Sequence, residues 1–279
     1  MDTFADIHKQ LRLWARVQDL SVLREPVRAF LQEGPAEAVA PFLGALLERP
    51  VTPGLRPALL VLVQALLEPG VVSYERAREL YEHARDEGYQ NLCRVLGSPS
   101  PVVVTVRTET RARDPLFDEV PLGTRKWKAR LHDRNLLARL VHDPDPSVAT
   151  ILLANPKVTE ANVLRLASAR PTKPAILLAV VRSPRWLPRP AVLQALVQNP
   201  YTPLPARVAL LPLLTRAELG RLHRNPTGLA TFDEAVARVV GQTAVPEVRV
   251  EPEAPVEPEP APEVPAEPEV PAEPDPSAE

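Results

Sequence analysis

Apolar residues recur at helical spacing through most of this chain, and proline sets the breaks between the runs. Ala5 to Leu20, Val22 to Gln32, Ala36 to Glu48, Leu55 to Glu68 and Tyr74 to Asp86 each read as an amphipathic helix, parted by Glu33-Gly34-Pro35, by residues 50–54 and by Pro69-Gly70. Ser73 before Tyr74 and Glu75 is an N-cap followed by an acid in the first turn. Val102 to Val106 is a β-branched run that suggests a short strand, and Val120-Pro121-Leu122-Gly123 reads as linker.

A repeat governs the stretch from Thr124 to Val240. Pro156, Pro184 and Pro212 are spaced 28 residues apart, and Pro144, Pro171, Pro200 and Pro226 interleave with them at separations of 27, 29 and 26. Such a period belongs to stacked helical hairpins, in which each unit buries its apolar face only against its neighbours. Two residues after the 28-spaced prolines stand Val158, Trp186 and Leu214, with Thr159 and Thr215 as N-caps behind two of them, the arrangement of a hydrophobic staple. Leu164, Leu193 and Leu219 then correspond, as do Ala167, Leu196 and Leu222. Asn155-Pro156, Asn199-Pro200 and Asn225-Pro226 end their helices, because proline lacks the ladder donor and drives the residue before it out of the helical region. The segments Ala149 to Ala154, Ala175 to Val181 and Val208 to Leu211 are apolar on nearly every side, as expected of helices covered on several faces.

Those residues, with Lys157 and Leu164-Arg165-Leu166-Ala167 in the first copy and Tyr201-Thr202-Pro203 in the second, resemble leucine-rich-repeat-variant and HEAT-like α-solenoids over residues 136–226. The resemblance implies an all-α solenoid and a binding scaffold without catalysis. Some variant-repeat proteins hold an iron–sulfur cluster on several cysteines; Cys93 is the only cysteine here, so that feature does not carry over. The alternating short and long half-repeats leave the subfamily open.

Composition sharpens this. Apolar residues make up 45% of the chain but aromatics only 4%, which suits closely stacked helices. One cysteine excludes an intramolecular disulfide and a cysteine-built zinc site. The start mixes charges into its apolar residues unlike a signal peptide, and no run approaches the length of a membrane span, so the expectation is a cytoplasmic protein. The net charge of −2 conceals a division: residues 246–279 hold eleven acidic residues and one basic, Arg249, leaving a basic body. The tail, rich in Pro, Glu, Ala and Val, reads as a disordered acidic segment that solubilises the body, serves as a ligand itself, or folds back on the basic body. The expected organisation is a helical region over 1–97, a linker over 98–123, the repeat over 124–240 and the tail over 241–279.

Chemistry is sparse. His132-Asp133 and His142-Asp143 lie ten residues apart, which turns the two histidines about 80° from each other on a helix and completes no metal shell. No phosphate loop, nucleophile elbow or paired-carboxylate motif stands out, and no cofactor is implied. The candidates for partner contact are Arg125, Lys126, Trp127, Lys128, Arg130, Arg134 and Arg139, then Arg182, Arg185 and Arg189 around Trp186, and Tyr201 in an inter-helix turn. Cations interleaved with an aromatic suit phosphates and bases or acidic proteins, while the plainer reading gives a solvated face with Trp127 sealing the first repeat. The staple position argues that Trp186 is buried and only its arginines are free. The expected function is a protein–protein adaptor, with nucleic-acid binding as the alternative.

Overall fold

The computed structural model describes residues 13–14, 16–17, 20–51, 53–97 and 119–241. The expected helix from Ala5, the strand at Val102 to Val106 and the acidic tail lie wholly or mostly outside these residues. The described residues form fourteen α-helices and no strand, so the protein is all-α. The described residues belong to one compact unit.

Five helices precede the undescribed segment: α1 (Arg24–Glu33), α2 (Ala36–Leu47), α3 (Arg56–Leu66), α4 (Tyr74–Asp86) and α5 (Gln90–Leu96). The Ser73 hydroxyl accepts the Arg76 N–H as the expected cap of α4. Gly88, at φ 80°, turns the chain in the left-handed region where glycine is at ease, and α5 follows at once. Trp14, Phe30 and Phe42 meet edge to face with centroids 5.0 to 6.0 Å apart, joining the first helices. The Arg76 guanidinium closes the end of α1 by donating to the Leu31 carbonyl at 3.0 Å and to the Gly34 carbonyl, groups that no helical N–H can reach.

Nine more helices follow: α6 (Leu122–Lys128), α7 (Arg134–Leu140), α8 (Pro146–Ala154), α9 (Glu160–Ser168), α10 (Pro174–Val181), α11 (Pro190–Gln198), α12 (Leu204–Leu210), α13 (Arg216–Arg224) and α14 (Ala230–Gly241). Pro146, Pro174 and Pro190 open their helices, the position where a missing N–H costs no ladder bond. Asp133, Asp145 and Thr159 cap α7, α8 and α9, and Thr215 with Glu218 forms a complete capping box on α13. Val158, Trp186 and Leu214, the staple positions, are each 3% exposed.

Alternate helices pack together, α8 on α10 and α9 on α11, as in a row of helical hairpins. The third copy departs from the first two. Pro212 sits buried in a 3₁₀ turn, Leu211–Leu213, instead of a surface turn, and its carbonyl accepts the Val51 N–H at 3.1 Å. The cause is cover from both ends of the described chain: amino-terminal α5 and carboxy-terminal α14 pack on α12, and α2 and α3 on the 3₁₀ turn. That cover explains why every residue from Ala206 to Leu214 is buried. Helix α6 begins at Leu122, inside the stretch that reads as linker, with Pro121 as its N-cap residue.

Candidate functional site

The turns that end α6, α8 and α10 stand side by side, and hydrogen bonds to carbonyls fasten each to the next. Asn155, held extended at ψ 127° before Pro156, donates both amide hydrogens back to the turn after α6, to Ala129 O and Leu131 O at 2.8 Å each. Its Oδ1 accepts the Lys157 N–H at 2.9 Å. In the third turn the Trp186 indole N–H donates to Leu153 O at 2.9 Å. Arg185 reaches Asn155 O at 3.0 Å and Pro156 O at 3.4 Å, while its guanidinium stands 4.3 Å from the Trp186 ring centroid. Ala129 O, Leu131 O and Leu153 O lie at helix C-termini, where the ladder supplies no donor, so the side-chain bonds satisfy them; Asn155 O also accepts the Val158 N–H at 3.2 Å.

A parallel stitch runs on the other layer, where Asn199 donates to Ala167 O at 2.8 Å and Ala169 O at 3.1 Å. Asn225 differs: exposed, it bonds only Arg221 O within its own helix. Spacing alone makes the three dipeptides equivalent, but only the first two have a neighbouring turn to hold.

The row of turns carries cations outward. Arg130, Lys157, Arg185 and Arg189 are exposed on or beside it, and Arg134 is exposed at the start of α7. From Arg125 to Arg189 the chain has thirteen basic residues against four acidic ones, Asp133, Asp143, Asp145 and Glu160. Three of those acids serve the backbone: Asp133 accepts the Asn135 N–H, Asp143 the Asp145 N–H, and Asp145 the Ser147 N–H.

Several of the sequence candidates have other work. Arg125 is a half-buried structural residue, its side chain 11% exposed and its Nη1 2.7 Å from Oδ1 of a fully buried Asp143. Burial pushes the Asp143 carboxyl above its usual range, opposed by the Asp145 N–H and by Arg125, and its second oxygen has no hydrogen-bond partner among the described residues. The eighteen-residue separation hides this pair from any helical-spacing argument. Arg185 is likewise occupied by carbonyls and is not a free cation. Tyr201 is half-buried against the core. Lys126 is half-buried beside Asp145, whose carboxyl lies below its usual range, lowered most by the Ser147 hydroxyl and also by Lys126. Lys128 is half-buried, Arg139 is exposed in the last turn of α7, and Arg182 is exposed with Nη2 3.5 Å from Leu67 O.

Trp127 is the departure from the plainer reading. It does not seal the first repeat: α6 has no fully buried residue, and the ring is 57% exposed between Lys126 and Lys128. A large aromatic left in water forgoes burial worth about 1.5–3 kcal/mol, which makes its exposure the informative feature of this surface.

Among the described residues no three His, Cys, Asp or Glu side chains converge as metal ligands, and no helix is long and apolar enough to cross a membrane. Compared with protein-family models, with curated proteins and with solved structures, the chain matches none of them.

Proposed function

We propose that this protein is a helical-repeat scaffold of the HEAT-like or leucine-rich-repeat-variant kind, working in the cytoplasm, and that it docks an acidic segment of a protein partner along its row of stacked turns. The observation that carries the reading is the exposed Trp127 at the head of a line of cations, mounted on turns that buried hydrogen bonds hold in register. Pre-organised cations lose little conformational freedom on binding, and an exposed indole beside them supplies the kind of aromatic anchor that dominates interface energies. No group in the row is arranged for proton transfer or covalent chemistry, so binding is the activity it supports.

Nucleic acid is the second reading, favoured by the same indole: a ring flanked by lysines can stack on a base while the cations meet phosphates. Titrating the full chain with a fluorescent acidic peptide and with a single-stranded oligonucleotide, at about 50 and 200 mM salt, separates the two. The scaffold reading expects tighter binding of the peptide with a shallow salt dependence. Nucleic-acid binding that loses decades of affinity over that range, with no peptide binding, replaces it with the alternative.

A further inference from the structure

We infer that the cleft between α1, α3 and the end of α10 is a binding site for a phosphate-class dianion. The cleft has a volume of about 130 Å³ and is lined by Arg24, Arg28, Gln64, Glu68 and Arg182 among others. Its charges are unbalanced. Arg28 takes both nearby carboxylates, its Nη2 lying 2.7 and 2.8 Å from the two oxygens of Glu68 and its Nη1 3.2 Å from Glu25 Oε1. Arg24 makes no ion pair among the described residues, and Arg182 meets only the Leu67 carbonyl, at 3.5 Å. Two guanidinium groups therefore face one cleft with no anion of their own.

The wall is held firmly enough to make a site: Gln64 Nε2 donates to Val181 O at 3.2 Å, which fixes the end of α10 against α3. A carboxylate would neutralise only one of the two spare arginines. A tetrahedral dianion offers acceptors in several directions and can take a fork from each, the geometry that guanidinium groups match best. Free phosphate and a phosphorylated side chain share this chemistry. Arg182 opens the turn after α10, but its Nη2 lies by Leu67 O, and none of Arg130, Lys157 and Arg189 lines the cleft.

The test is thermal unfolding of the full chain with inorganic phosphate, against sodium chloride at matched ionic strength, in parallel with a phosphoserine peptide and its unphosphorylated form. A bound dianion raises the melting temperature by roughly 3 °C for each tenfold rise in phosphate past half-saturation. Arg24→Gln with Arg182→Gln, both exposed and outside the Arg28–Glu68 pair, should abolish that rise, whereas Arg130→Glu with Lys157→Glu should leave it intact. A response to the phosphopeptide alone assigns the site to a phosphorylated partner, and a response to phosphate alone assigns it to the free ion. Equal shifts in phosphate and chloride, or a shift that survives in the Arg24 and Arg182 variant, overturn the assignment. So does a shift lost in the Arg130 and Lys157 variant, because the anion would then be gathering on the row.

Discussion

The Asn91 side chain joins the two ends of the described fold: its Nδ2 donates to Ala235 O in α14 at 3.4 Å and to Leu47 O at the end of α2 at 3.1 Å. Asn91 is completely buried, and its Oδ1 accepts Arg94 Nη1 at 3.2 Å, while Arg94 Nη2 pairs with Glu234 at 2.7 Å. One amide thus holds together segments 144 residues apart in sequence. Asn91→Ala should cost about 2–4 kcal/mol in urea unfolding, because two buried carbonyls lose a donor together. Asn91→Asp should cost more at neutral pH, since a carboxylate would then face two carbonyl oxygens. A loss under about 0.5 kcal/mol for both would mean that the amino-terminal helices are not clamped there.

The turn stitches predict a graded series. Asn155→Ala and Asn199→Ala each remove two side-chain bonds to a neighbouring turn, and should each lower stability by about 2–3 kcal/mol. Asn225→Ala, which loses a single local bond at the surface, should stay within about 0.5 kcal/mol. Equal effects at all three sites in chemical denaturation would show that helix termination alone, and no packing between turns, is what asparagine supplies.

Arg207 gives a pH signature. The guanidinium is buried over Phe232, 3.6 Å from the ring centroid, and donates to Val197 O at 2.8 Å. Burial draws its pKa down from the ordinary guanidinium range to about 10, against the attraction of Asp233. A base whose folded pKa is depressed costs stability while it is charged, and the cost fades as pH rises through the folded value. Between pH 9 and 11 the wild type should therefore gain about 1 kcal/mol on Arg207→Met, in paired denaturation curves that cancel the other titrations. A constant difference across that window would contradict the buried-charge account.

Much of this was legible in the chain because its cues are local. Serine and threonine caps and staple residues act within one turn of helix, and the positions of Ser73, Thr159, Thr215, Val158, Trp186 and Leu214 follow from them. Trp186 is buried as its staple position requires. The Arg125–Asp143 pair and the carbonyl bonds of Arg185 were hidden because their partners are set by how turns stack, which no periodicity records. Helix α5 was missed for its shortness, though Gly88 and the apolar Leu92, Val95 and Leu96 mark it. The exposure of Trp127 was the least accessible of all: a tryptophan among cations reads equally well as lid or as anchor.

The acidic tail offers a further prediction from charge alone. Residues 246–279 hold eleven carboxylates on the same chain as the basic row, and tethering gives them a millimolar-range effective concentration. Deleting them should strengthen binding of an acidic peptide several-fold at low salt, with the gain shrinking as salt screens both. Unchanged affinity in an anisotropy titration would remove competition by the tail from the account.

The most direct measurement is the affinity of the full chain for a labelled acidic peptide before and after Arg130→Glu, Lys157→Glu and Arg189→Glu are combined. These side chains are exposed and keep none of the turn-to-turn bonds, so circular dichroism and melting should be unaltered. Three reversals along one line should weaken the peptide by well over tenfold, about 1.4 kcal/mol or more. If the variant binds as tightly as the parent, the row of turns is not the docking surface and the scaffold reading built on it is wrong.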